Sequence, residues 1–60
     1  MTSEQDRIAF VQARDGPDAA KLWARQTFRL YRQALRTPYG KAYRRALLLS
    51  LLALRQYLRT

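Results

Sequence analysis

Residues 17–36 read PDAAKLWARQTFRLYRQALR, and this stretch decides the fold. At about 100° per residue, Lys21, Arg25, Arg29, Arg32 and Arg36 fall within roughly 80° of arc on a helix. Trp23, Thr27, Phe28, Leu30, Tyr31, Ala34 and Leu35 fill the rest of the circumference, with Ala20 and Ala24. A stretch split so cleanly between apolar and cationic faces predicts one amphipathic helix over about 17–36. Pro17, which lacks the N–H that a first helical residue does not need, suits its start.

Punctuation on either side sets the neighbours. Upstream, Asp15-Gly16-Pro17 breaks the chain, and Gly16 closes a short first helix over about 4–14. Ser3 caps that helix, with Asp6 at its third position as an Asp variant of the capping box. Downstream, Thr37-Pro38-Tyr39-Gly40 marks the next break. Thr37 caps and Pro38 starts a third helix over about 38–59, whose first turn Gly40 weakens. No segment alternates with period two over a useful length, so no strand is expected. The expectation is an all-α single domain, residues 1–60, with a short N-terminal helix and an antiparallel hairpin of two long helices.

The third helix is apolar almost all round. Residues 46–54 are interrupted only by Ser50. Ala42, Ala46, Leu49 and Ala53 make one seam, small enough for close helix approach. Leu47, Leu51, Leu54 and Leu58 make a second, and Leu48 and Leu52 lie on a third side among Lys41, Arg45, Arg55 and Arg59. One neighbouring helix covers one seam, and the first helix, with Ile8, Phe10 and Val11, covers one more. The remainder predicts oligomerisation of the isolated chain or an obligate complex with a partner. Sixty residues without cysteine or histidine have neither disulfide nor metal to staple them.

Charge is divided along the chain as sharply as around the helix. Glu4, Asp6, Asp15 and Asp18 are the only acids, and each is read as a helix-start residue favoured by the macrodipole. Residues 19–60 carry ten cations and no carboxylate side chain, and the whole chain carries +8. A face kept merely soluble mixes signs, because like charges at i, i+4 cost about 0.2–0.5 kcal/mol per pair. The unmixed stripe predicts an acidic partner.

Catalysis is not expected. There is no histidine, no cysteine and no paired carboxylate outside the helix starts, and Ser50 sits among leucines without a base. Gly16 and Gly40 are isolated and form no phosphate-cradling loop. No cofactor and no metal ion are expected. The apolar run of residues 46–54 spans roughly 13 Å as a helix against about 30 Å of hydrocarbon, so no transmembrane segment is expected. No secretory signal is read in residues 1–14, and an intracellular, cytoplasmic location is expected.

Leu30-Tyr31-Arg32, followed by Leu35-Arg36, reads L-Y-R-x-x-L-R. It resembles the LYR-motif proteins, small basic helical accessory factors of respiratory-complex and iron–sulfur assembly, and Tyr43-Arg44-Arg45 is similar to their second helix. The resemblance spans about residues 27–45. It implies that Leu30 and Tyr31 lie between helices and that Arg32 and Arg36 contact an acidic acyl carrier protein, whose lipid chain enters the bundle. It also implies the mitochondrial matrix. The chain departs from the family in having one helix after the motif rather than two, and in lacking a phenylalanine downstream of it.

Together these readings give a non-enzymatic basic adaptor or accessory subunit for an acidic protein. Its contact residues are Lys21, Arg25, Arg29, Arg32, Arg36, Lys41, Arg44, Arg45, Leu48 and Leu52. The alternative is sequence-independent nucleic-acid binding, with the Arg stripe on phosphates and Tyr31, Tyr39 and Tyr43 to stack bases. A membrane surface ranks last, because Trp23 belongs to the core face.

Overall fold

The computed structural model describes residues 3–60. Met1 and Thr2, at the head of the expected domain, lie outside the described residues. Four helices follow one another: α1 Glu4–Asp15, α2 Pro17–Ala34, α3 Pro38–Ala42 and α4 Arg44–Leu58. No strand occurs among the described residues, and the all-α expectation holds.

The expected caps are in place. Ser3 Oγ accepts the Asp6 N–H at 3.1 Å. Gly16 closes α1 with φ +92° and its N–H on the Gln12 carbonyl at 2.9 Å. That dihedral strains any residue with a Cβ, which is why glycine stands there. Pro17 opens α2, with Asp18 in its first turn. Asp15 departs from its expected role at the start of α2. It is the last residue of α1, where its carboxylate takes Arg14 at 2.8 Å.

Helix α2 stops two residues short of the expected end. Its last turns tighten: the Arg36 N–H bonds the Gln33 carbonyl and the Thr37 N–H bonds the Ala34 carbonyl. The Thr37 hydroxyl joins two helices, donating to the Ala34 carbonyl at 2.6 Å and accepting the Gly40 N–H at 3.0 Å. Arg36 therefore sits in the connection and not on the helix that carries the other arginines.

The single helix expected over 38–59 is in fact two. Tyr43, at φ −112° and ψ 25°, separates α3 from α4. The cause lies upstream, where Gly40 is buried against the end of α2. A Cβ there would overlap the Ala34 carbonyl and come within 2.7 Å of the Leu35 Cα. Held that close, α3 cannot also run back along α2, and Tyr43 supplies the change of direction. The Tyr39 and Tyr43 rings pack across the bend with centroids 4.6 Å apart, tilted by 38°.

From there α4 returns antiparallel to α2, and α1 covers one flank of the pair. Ile8, Ala24 and Leu54 form the buried centre, with Trp23, Phe28, Tyr31, Tyr57 and Leu58 packed against it. The small residues that permit close approach are Ala20 and Ala24 of α2, both fully buried. With those in place, the inner seam of α4 is the large one, through Leu51 and Leu54. The Ala42-Ala46-Leu49-Ala53 seam, small enough for close helix approach, is covered only in part: Ala53 is half-buried, Ala46, Leu49 and Ala53 border the start of α1 across a shallow hollow, and Leu49 stays 61% exposed. Leu30, expected on the core side, is also out, at 62% exposure. Tyr31 takes the inward place, with its hydroxyl accepting from Arg7 Nη1 at 3.1 Å.

Candidate functional site

The antiparallel pairing leaves α2 and α4 with one flank covered by α1 and one open. On the open flank Phe28, Leu48, Leu51, Leu52 and Arg55 line a depression of about 210 Å³. Leu48 is 44% exposed and Leu52 52% exposed, so both leucines expected to lack a covering helix do lack one. The Arg32 guanidinium stands 5.9 Å from the centre of the Phe28 ring, within cation–π range, at the edge of this apolar floor.

Beyond that edge lies the stripe. Arg25, Arg29, Arg32 and Arg36 are all exposed. Arg29, Arg32, Gln33 and Arg36 line a second shallow depression. Among the described residues the one ion pair is Arg14–Asp15, so none of these arginines has an anionic partner. Lys21 is placed differently from the others. Its ammonium turns in, donates to the Tyr57 carbonyl and to Thr60 Oγ1, and stands 4.3 Å from the centre of the Tyr57 ring. It satisfies carbonyls that the end of α4 would otherwise leave open. Lys21 is thus a cap for α4 and drops out of the free stripe.

The remaining expected contacts ring the upper end of the bundle. Lys41 is exposed on α3, and Arg44 and Arg45 are exposed in the first turn of α4. That turn has no acid, and Tyr43 gives it no side-chain cap. Two cations therefore sit at the positive end of a helix dipole, an arrangement that costs free energy until an anion approaches. Ala42, Tyr43, Arg45, Ala46 and Leu49 line a further shallow patch beside them.

Three exposed or groove-lining residues stand outside the contacts expected from sequence: Phe28, whose type and position fit the core, Arg55, which neighbours the leucines without being an expected contact, and Leu49, which belongs to the small-residue seam. The missing signal is helical phase: once Leu51 is inside, Leu49 lies about 160° away from it and must be outside.

The covered flank has a different character. Glu4 is buried at the start of α1. Burial first, and then the neighbouring Glu4 carboxylate, push the Tyr31 phenol above its ordinary range, while Arg7 pulls it the other way. Trp23 is half-buried beside Phe10 and Val11, as its assignment to the core face required. The described residues include no cluster of three metal-ligating side chains. No helix among them is long and apolar enough to cross a membrane.

No protein-family model, no curated protein and no solved structure matches this chain.

Proposed function

We propose that this chain is a non-enzymatic basic adaptor or accessory subunit that docks onto an acidic protein surface through the open flank of its α2–α4 pair. The observation that carries the proposal is the joint exposure of Leu48 and Leu52 on that flank, beside arginines that have no carboxylate to pair with among the described residues. Exposed charge pairs contribute only about 0–1 kcal/mol each, so the leucines supply the affinity. The arginines supply attraction and orientation, which raise the rate of encounter. The similarity of Leu30-Tyr31-Arg32 to the LYR motif makes an acyl carrier protein one specific acidic partner to look for.

A second reading rests on the depression lined by Arg29, Arg32, Gln33 and Arg36. Three guanidiniums on one face suit the phosphates of nucleic acid. Such binding uses none of the exposed leucines, and it ranks second for that reason.

Co-purification of the untagged chain from its own cells, with and without nuclease, decides between the two. The proposal expects an acidic protein that survives nuclease treatment and is lost with Leu48→Glu or Leu52→Glu. Recovery only of ribosomes or DNA, abolished by nuclease and untouched by the leucine variants, would overturn it in favour of the second reading.

A further inference from the structure

Resting on the acidic-partner reading, we infer what the partner presents: an α-helix, apolar along one stripe and acidic on both flanks, laid in the groove between α2 and α4 as the fourth helix of a bundle. A pair of antiparallel helices has two grooves. Helix α1 fills one, inserting Ile8 and Val11. The other has Phe28 and Leu51 as its floor and Leu48 and Leu52 on its wall, with nothing over them. Helices pack about 8–10 Å apart by setting side-chain ridges into such grooves.

Its length suits a helix. The two helices run together from Lys21, against Tyr57 at one end, to about Leu35 at the other. At 1.5 Å per residue that is about 21 Å, or four helical turns. An extended peptide usually binds by adding to a sheet edge, and the described residues contain no strand to add to. A helix satisfies its own backbone and needs only side-chain contact.

The flanks follow from the rims. On the α2 side stand Arg25 and Arg32, one heptad apart, and on the α4 side Arg55 and Arg59. Both rims are cationic, so the occupant is acidic on both flanks and not on one. A second copy of this chain fits poorly in the same place. It would set Arg25, Arg32 and Arg55 against their own kind, and no carboxylate side chain follows Asp18. A bilayer surface fits poorly as well, because Phe10 and Trp23, the aromatic anchors, sit on the α1 flank beside Asp6.

The full-length chain and synthetic probes test this by fluorescence anisotropy. The first probe is a peptide of about three heptads with Leu on the stripe and Glu on both flanks. The second replaces the flanking Glu with Lys, and the third keeps the composition of the first but carries two central prolines. Random duplex DNA and anionic vesicles complete the set. The first probe is expected to bind, and Leu48→Ala and Leu52→Ala together to weaken it at least about tenfold. Arg32→Ala is expected to slow its association several-fold. Both leucines are exposed, so the variants should retain the parent helicity, which circular dichroism checks. Equal binding of the proline-broken probe would overturn the helix inference and leave the acidic-partner reading standing. Failure of the leucine variants to weaken the first probe would overturn the groove. Binding of DNA or vesicles alone, or indifference to the sign of the flanks, would overturn the acidic-partner reading as well.

Discussion

Helices α2 and α4 lie side by side and are built from much the same residue types, leucine, alanine and arginine, yet they use them differently. In α2 polarity and position agree for most residues: Ala20 and Ala24 are buried and the arginines face solvent, with Leu22 and Leu30 the outward exceptions. In α4 they do not. Leu51 and Leu54 are buried while Leu48, Leu49 and Leu52, drawn from the same run, stand in solvent. A helix divided by polarity announces its inner face, whereas a helix of leucines has its inner face chosen by its neighbours. What the neighbours leave over is surface that folding does not account for, and the part formed by Leu48 and Leu52 lies next to the cations of α2. The pairing of those two surpluses is what the proposed docking function rests on.

The largest predicted effect tests what sets the two helices against each other. Gly40→Ala should raise helix propensity by about 1 kcal/mol. It should also force a Cβ into the backbone of Ala34 and Leu35, which has no side chain to move aside. The clash should win, with a net loss of more than about 4 kcal/mol. A chain of this length commands roughly 3–9 kcal/mol in all, so a cooperative thermal transition should be lost or moved far down. A melt like that of the parent would mean that α4 finds its register on α2 without the close approach at Gly40.

The second prediction contrasts the two sides of α4 directly. Leu54→Ala truncates the only large side chain that is completely buried among the described residues, and should cost about 3 kcal/mol. Leu52→Ala, in the same run, should change stability by less than about 0.5 kcal/mol. Chemical denaturation of the purified chain at several protein concentrations measures both. If Leu52→Ala proves as costly as Leu54→Ala, and the cost grows with concentration, a second copy of the chain already covers the open flank.

The sequence made much of this legible, and for identifiable reasons. The ends of the helices were carried by residues whose chemistry allows few alternatives: Ser3 and Thr37 as caps, Gly16 at positive φ, and Pro17 and Pro38 as starts. The lack of cover over Leu48 and Leu52 followed from counting faces against helices. The break at Tyr43 was hidden, because no proline or glycine marks it. It is imposed by how tightly Gly40 sits on α2, a tertiary fact. The outward turn of Leu49 was hidden for a related reason, since several phases of a leucine run look alike until α2 is in place. Lys21 had the spacing of a stripe residue and only the proximity of Tyr57 and Thr60 draws it inward.

That last difference gives the smallest and sharpest test, because Lys21 and Arg25 are one turn apart on α2 and equal in charge. Lys21→Met keeps most of the apolar stem but removes the donor to the Tyr57 carbonyl and Thr60 Oγ1, together with a cation near the negative end of α4. A loss of about 1–2 kcal/mol is expected. Arg25→Met removes an exposed cation crowded by Arg29 and has no carboxylate partner to lose. Relief of like-charge repulsion at i, i+4 should make it neutral or stabilising, by about 0.2–0.5 kcal/mol. The two also differ in salt. At about 1 M salt the screening length falls to about 3 Å, so the gain from Arg25→Met should vanish. The loss from Lys21→Met rests mainly on the half-buried hydrogen bond to the Tyr57 carbonyl and should largely persist. Denaturation midpoints of the parent and both variants at low and high salt distinguish these signs. If Lys21→Met instead behaves like Arg25→Met under both conditions, Lys21 belongs to the open stripe and the docking face regains its fifth cation.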